Sequence, residues 1–74
     1  MPHIGCYLYP GRDEETKRKL AKDIKAAVSA STGFPPEALS VSLVEYPPET
    51  FQAKVQERYA PETLYEASDY IHRK

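Results

Sequence analysis

Asp13 to Pro36, DEETKRKLAKDIKAAVSASTGFPP, is the stretch whose reading decides the fold. Asp13 reads as a helix N-cap, since a short acidic side chain accepts from the orphan N–H groups of a first turn. Glu14 and Glu15 then place negative charge at the positive end of the helix dipole. Leu20, Ile24, Ala27 and Val28 fall on one stripe, while Lys17, Arg18, Lys22 and Lys25 fall mainly elsewhere and read as a solvated face. Gly33 is the expected stop, and Pro35-Pro36 forbids continuation.

Strands are expected on both sides of this helix. From His3 to Tyr9, Ile4, Cys6 and Leu8 alternate with His3, Gly5, Tyr7 and Tyr9, and Pro10-Gly11 ends the run as a turn pair. From Leu39 to Tyr46, Val41 and Leu43 face opposite to Ser40 and Ser42. A helix of roughly 20 residues between two strands is a crossover connection, which predicts parallel strands and a right-handed unit. Pro47-Pro48 breaks the second strand. Pro48 or Glu49 opens a short helix in which Phe51, Val55 and Tyr59 line up, and Pro61 starts a further turn containing Leu64 and Tyr65. The tail from Ser68 onward is polar and expected to be loose.

The fold class is therefore α/β: a β-α-β unit with parallel strands and short C-terminal helices, forming one domain over residues 1–74. Two parallel strands and one helix do not make an independent domain, and one helix covers only one sheet face. A 74-residue chain buries only about 60% of its unfolded surface. Cys6 is the only cysteine, so no internal disulfide is available, and it reads as a small core residue. His3 and His72 sit at opposite ends, so no metal-ligand cluster is expected. Completion of the sheet by oligomerisation is the remaining route to stability. The formal net charge of -1 offers no basic field for nucleic acid and no polybasic anchor for a membrane. The apolar runs are far too short for a spanning helix or a signal-peptide core. A soluble, cytoplasmic protein is expected.

Met1-Pro2 opens the first strand. A small second residue lets the initiator methionine be removed, which would leave proline with a free secondary amine. Ordinary α-amino groups titrate near ~8, and burial or a nearby cation moves that value towards neutrality. A base poised there suits proton-transfer catalysis.

Met1-Pro2, the first strand, Gly11-Arg12, the long helix, a strand ending in Glu45 and Phe51 shortly after: this pattern resembles the tautomerase superfamily, 4-oxalocrotonate tautomerase type. The likeness runs without a gap from Pro2 to about Phe51. Glu49-Thr50-Phe51-Gln52-Ala53 with Tyr59-Ala60-Pro61 is similar to the longer-tailed branch that includes phenylpyruvate-type tautomerases. The resemblance implies a cofactor-independent keto–enol tautomerase, an isomerase acting on a small enol or keto acid. It implies Pro2 as the proton shuttle, Arg12 as the holder of the substrate carboxylate and Phe51 as the apolar pocket wall. It also implies a homo-oligomer, with a dimer favoured by the longer tail and a hexamer the other option. The family's second arginine, which polarises the 2-oxo group, falls at Ser40. One arginine in place of two points to a monocarboxylate such as an enolised arylpyruvate.

With Ser40 in that place, the developing oxyanion needs other donors: backbone N–H groups, the Ser40 or Ser42 hydroxyl, or Tyr7, Tyr9 or Tyr46. From the residues alone, the tyrosines read as interface or surface groups, His3 as structural and Glu45 as a solvated strand-end charge. Arg12 reads equally as a solvated charge beside the helix start, and Phe51 as plain core. From a different functional class, the alternative is a non-catalytic homologue kept as a small assembly or binding module.

Overall fold

The computed structural model describes residues 1–68. The loose tail expected from Ser68 onward falls almost wholly outside the described residues, as do His72 and the end of the expected 1–74 domain. The elements are β1 (His3–Leu8), α1 (Glu14–Thr32), β2 (Ser40–Glu45) and α2 (Pro48–Gln56). Short 3-10 turns occupy Pro36–Ala38 and Pro61–Thr63.

Helix α1 begins and ends where its local chemistry dictates. The Thr16 N–H donates to Asp13 Oδ1 at 2.9 Å. At the other end Gly33 adopts φ 86, a left-handed conformation that a side chain would strain, and returns its N–H to the Ser29 carbonyl. The Ser29 hydroxyl donates to the Phe34 carbonyl at 2.6 Å, which folds the exit back on the last turn.

Hydrogen bonds from Thr16, side chain first and then backbone, hold the Asp13 carboxyl below its ordinary value. A depressed acid contributes stability above its unfolded pKa and loses it as pH falls through the folded one. Wild type is therefore expected to lose a Tm advantage over Asp13→Asn as pH drops below about 4. Thermal unfolding of both proteins across that range checks it; a gap that stays constant would remove the cap from the account.

β1 and β2 pair in parallel, with His3 opposite Ser40, Gly5 opposite Ser42 and Leu8 opposite Glu45. Strand alternation sorts the side chains. Ile4, Cys6, Leu8, Val41, Leu43 and Glu45 lie towards α1, and Lys17, Ala21, Val41 and Leu43 line one groove there. His3, Gly5, Tyr7, Ser40, Ser42 and Val44 lie on the other face, which no helix among the described residues covers, although Arg58 reaches Tyr46 there.

The stripe of α1 that meets the sheet is Lys17, Leu20, Ala21, Ile24, Lys25, Val28 and Ser29, all half-buried. This corrects several sequence expectations. Lys25 lies on this half-buried stripe, not on the solvated face. Ala27 is exposed, and Ala21 occupies the inner face instead. Lys17 does not belong to the solvated face: its stem lies inward and its ammonium sits 3.6 Å from Glu45. Glu45, expected to be a solvated strand-end charge, is thus covered by α1.

The link from α1 to β2 contains a 3-10 turn at Pro36–Ala38 that local signals did not suggest. It delivers Leu39 inward, the one buried hydrophobic among the described residues at 3% exposure. After β2, Pro48 opens α2 as its first-turn proline. Phe51, Val55 and Tyr59 are half-buried, although Tyr59, expected in this helix, lies past its end. Leu64 and Tyr65, expected within the last turn, fall beyond it and are exposed. One buried residue is not a core, and a two-stranded sheet with a bare face is not self-sufficient. The fold requires further copies of the chain to complete it.

Candidate active site

The two ends of the sheet carry different chemistry. At the N-terminal end, Pro2 is half-buried, and its carbonyl accepts the Ser40 N–H at 3.3 Å. That bond extends the ladder one step past β1 and fixes Pro2 beside Ser40. The His3 ring lies along β2 on the bare face, with Nδ1 2.7 Å from Ser40 Oγ and Nε2 3.1 Å from Ser42 Oγ. The parallel register and the two-residue spacing of the serines make this possible. Gly5, opposite Ser42, leaves room for Tyr7 to fold back: a Cβ on Gly5 would lie 3.2 Å from the Tyr7 hydroxyl.

At the C-terminal end, Pro10 and Gly11 turn the chain away from β1, with Gly11 at φ 131. The exposed Arg12 donates from Nη1 to the Tyr9 carbonyl at 3.2 Å. The Tyr9 ring meets Phe51 edge-on, with centroids 4.9 Å apart. Tyr9 thereby gathers Arg12 and Phe51 at one corner. Nearby, Tyr7 and Tyr46 stack at 6.1 Å, and Arg58 donates to the Tyr46 hydroxyl at 2.8 Å. That hydrogen bond raises the Arg58 guanidinium further above its ordinary value.

The expected site residues thus form two groups. Pro2 and Ser40 share one end, and Arg12 and Phe51 share the other. From Pro2 to Tyr9 the strand rise gives a separation of roughly 20 Å within one chain. Arg58 and the His3 bridge were not anticipated. The serine pair at positions 40 and 42, on the same face as His3, was the signal for the second. Arg58 follows α2 with no motif around it. On the helix side, Glu45 Oε1 faces Lys17, and its buried Oε2 has no hydrogen-bond partner. Among the described residues, no group of three or more His, Cys, Asp or Glu side chains is placed to hold a metal, and no helix is long and apolar enough to cross a membrane.

Comparison with known proteins places this arrangement. Residues 2–57 match the family model described as tautomerase enzyme. A Bacillus cereus protein named "probable tautomerase" is 42% identical over 45 residues, covering 61% of this chain and 74% of its own length. A Streptococcus pneumoniae protein of the same name is 37% identical over 51 residues, covering 69% and 85%. Among solved structures, TomN, a 4-oxalocrotonate tautomerase homologue in the tomaymycin biosynthetic pathway, superposes with a TM-score of 0.62 at 35% identity, over 65% of this chain and 74% of its own. A 4-oxalocrotonate tautomerase isozyme from Methylibium petroleiphilum gives a TM-score of 0.60 at 33% identity, over 62% and 74%. The chain belongs to the tautomerase family, and its fold is of the 4-oxalocrotonate tautomerase type.

Proposed function

We propose that the protein is a cofactor-independent keto–enol tautomerase for a small 2-oxo or enol acid with one carboxylate, arylpyruvate-like in shape. Pro2, freed by removal of Met1, is the general base and acid. The observation that carries this reading is the family match beginning at Pro2, together with the fixed, half-buried placement of that residue beside Ser40. Met1 is 98% exposed in the chain, so the fold does not shield the bond that must be cut.

The chemistry is a proton relocation. The enol O–H breaks, a C–H forms at the neighbouring carbon, and the double bond moves from C=C to C=O. No electrons leave the substrate, so no redox group enters the balance. One positioned base that titrates near neutrality serves both half-steps. The Arg12 guanidinium matches a carboxylate in two-point fashion and fixes the substrate's orientation. Phe51 supplies apolar wall for an aryl ring, and the Ser40 hydroxyl contacts the substrate oxygen. The copies assemble as a dimer in preference to a hexamer, on the likeness of Glu49-Thr50-Phe51-Gln52-Ala53 with Tyr59-Ala60-Pro61 to the longer-tailed branch.

A monoacid leaves no second carboxylate to strand. Phenylenolpyruvate is expected to exceed 2-hydroxymuconate in kcat/KM by about tenfold or more, the cost of one poorly paired charge on the diacid. Steady-state ketonisation of both substrates checks this, and a clear preference for the diacid would overturn the monocarboxylate assignment. The second reading, a non-catalytic binding module, is favoured by the serine at position 40. It predicts no turnover of either substrate by protein shown to lack Met1.

A further inference from the structure

The bare face of the sheet is divided along its length. Tyr7, Val44 and Tyr46 form an apolar half towards the C-terminal end, with the two tyrosine rings stacked. His3, Ser40 and Ser42 form a polar half at the N-terminal end, and the Tyr7 hydroxyl leans back towards it over Gly5. The apolar half suits contact with another copy. The polar half suits it less, because the serine and Tyr7 hydroxyls keep hydrogen-bonding capacity beyond the two bonds to His3 and would lose water against a dry surface.

We propose that the His3–Ser40–Ser42 cluster, floored by Gly5, is the receptor for the substrate oxygen that becomes anionic during tautomerisation. Ser40 and Ser42 are the donors that touch it, and His3 is the positioning residue that aims them. This deepens the proline-base reading and rests on it. Four observations carry it.

The first is adjacency. Ser40 is bonded through its N–H to the Pro2 carbonyl, so the cluster begins one ladder step from the residue whose nitrogen would act as base. Alternation puts the Pro2 and His3 rings on opposite faces. The amine itself is a main-chain atom, however, and lies in the strand between the two faces.

The second is saturation of the ring. Both imidazole nitrogens are engaged, one by each serine. A neutral imidazole has one N–H and one lone pair. Its N–H donates to one serine oxygen and leaves that serine's proton free. Its bare nitrogen accepts the proton of the other serine. A protonated ring donates to both and frees both hydroxyl protons. The cluster therefore always presents at least one oriented O–H donor outward, and it presents two when it carries positive charge.

The third is the composition of this end. The residues paired in the first ladder steps, His3 with Ser40, Ile4 with Val41 and Gly5 with Ser42, include no lysine or arginine. An oxyanion forming beside Pro2 finds hydroxyl donors there. The fourth is the floor. A Cβ at Gly5 would sit 3.2 Å from the Tyr7 hydroxyl, closer than nearly all such contacts, so glycine at this position lets the Tyr7 hydroxyl lie over the strand opposite Ser42 and add a third hydroxyl to this end.

The test combines kinetics with a direct readout of the ring. Ser40→Ala with Ser42→Ala is expected to lower kcat for phenylenolpyruvate by about 10–10²-fold with little change in KM, since the donors act most strongly where charge develops. Ser40→Thr, which keeps the hydroxyl, is expected to retain most of the rate, and His3→Ala to fall between. Titration of wild type with phenylpyruvate is expected to shift the His3 ring nitrogen resonances, and the double alanine variant is expected to abolish that response. An unchanged kcat in the double variant would overturn the proposal. So would a fall in kcat accompanied by loss of the assembly on size-exclusion chromatography, with Ser40→Thr failing in the same way. Full activity in Pro2→Ala would bring down the proline-base reading instead, and the ring titration would still report on the cluster.

Discussion

Pro2→Ala is expected to lower kcat for enol-acid ketonisation by about 10²–10⁴-fold, the range a positioned general base contributes, while the assembly stays intact. The substitution leaves the strand alone: Pro2 contributes its carbonyl to the ladder, accepting from Ser40, and alanine offers the same carbonyl. What changes is the nitrogen. A freed proline has a rigid secondary amine at the head of β1. A freed alanine has a primary amine that rotates about its own bond, and its lone pair is aimed only part of the time. A protein retaining Met1 has neither, because the Pro2 nitrogen is then a tertiary amide. Intact mass of the untagged protein belongs with the kinetics. Wild type lacking one methionine residue, together with the rate loss, supports the proline base. Wild type lacking Met1 and a Pro2→Ala variant of undiminished rate would remove proline from the mechanism.

The fold was legible because its signals are local. Asp13 and Gly33 act through hydrogen bonds spanning three or four residues, and both work as the sequence predicts. Strand alternation placed Val41 and Leu43 opposite Ser40 and Ser42, and the crossover length required parallel pairing. What escaped depends on how elements dock. Lys17 reads as surface in a helix viewed alone; it faces inward only because Glu45 lies beneath it in the packed unit. The choice of Ala21 over Ala27 is the same rotation of α1 about its axis. The His3 bridge needed the inter-strand register, which no single strand encodes: a shift by one residue would put Val41 and Leu43, or Leu39 and Val41, where the serines stand. The candidate site residues were legible only as types. Pro2, Arg12, Phe51 and Ser40 each lie where their local segments put them, yet one chain does not bring them together.

That separation gives the second large effect. Pro2→Ala and Arg12→Ala, each expected to be nearly inactive alone, should recover activity when unfolded together and refolded as a mixture. Arg12 is tied to the Tyr9 carbonyl, and the strand rise puts Tyr9 roughly 20 Å from Pro2. A small acid binding both groups must therefore take Pro2 from one chain and Arg12 from another. Two copies related by a twofold axis and running antiparallel bring the N-terminal end of one sheet to the C-terminal end of the next, forming the contact twice. Among the described residues each strand has an unpaired edge and one sheet face carries no helix, which leaves both for that docking. In a random mixture, half of the sites draw a sound Pro2 and half draw a sound Arg12 independently, so about a quarter of wild-type activity returns, whatever the number of copies in a symmetric assembly. If the groups acted within one chain, every chain in the mixture would carry a defect in its own site and nothing would return. A recovery near one quarter, absent when the two proteins are mixed without unfolding and exchange slowly, would establish a site shared between copies. A mixture no more active than its parts would require Arg12 to act somewhere other than on the substrate held by Pro2.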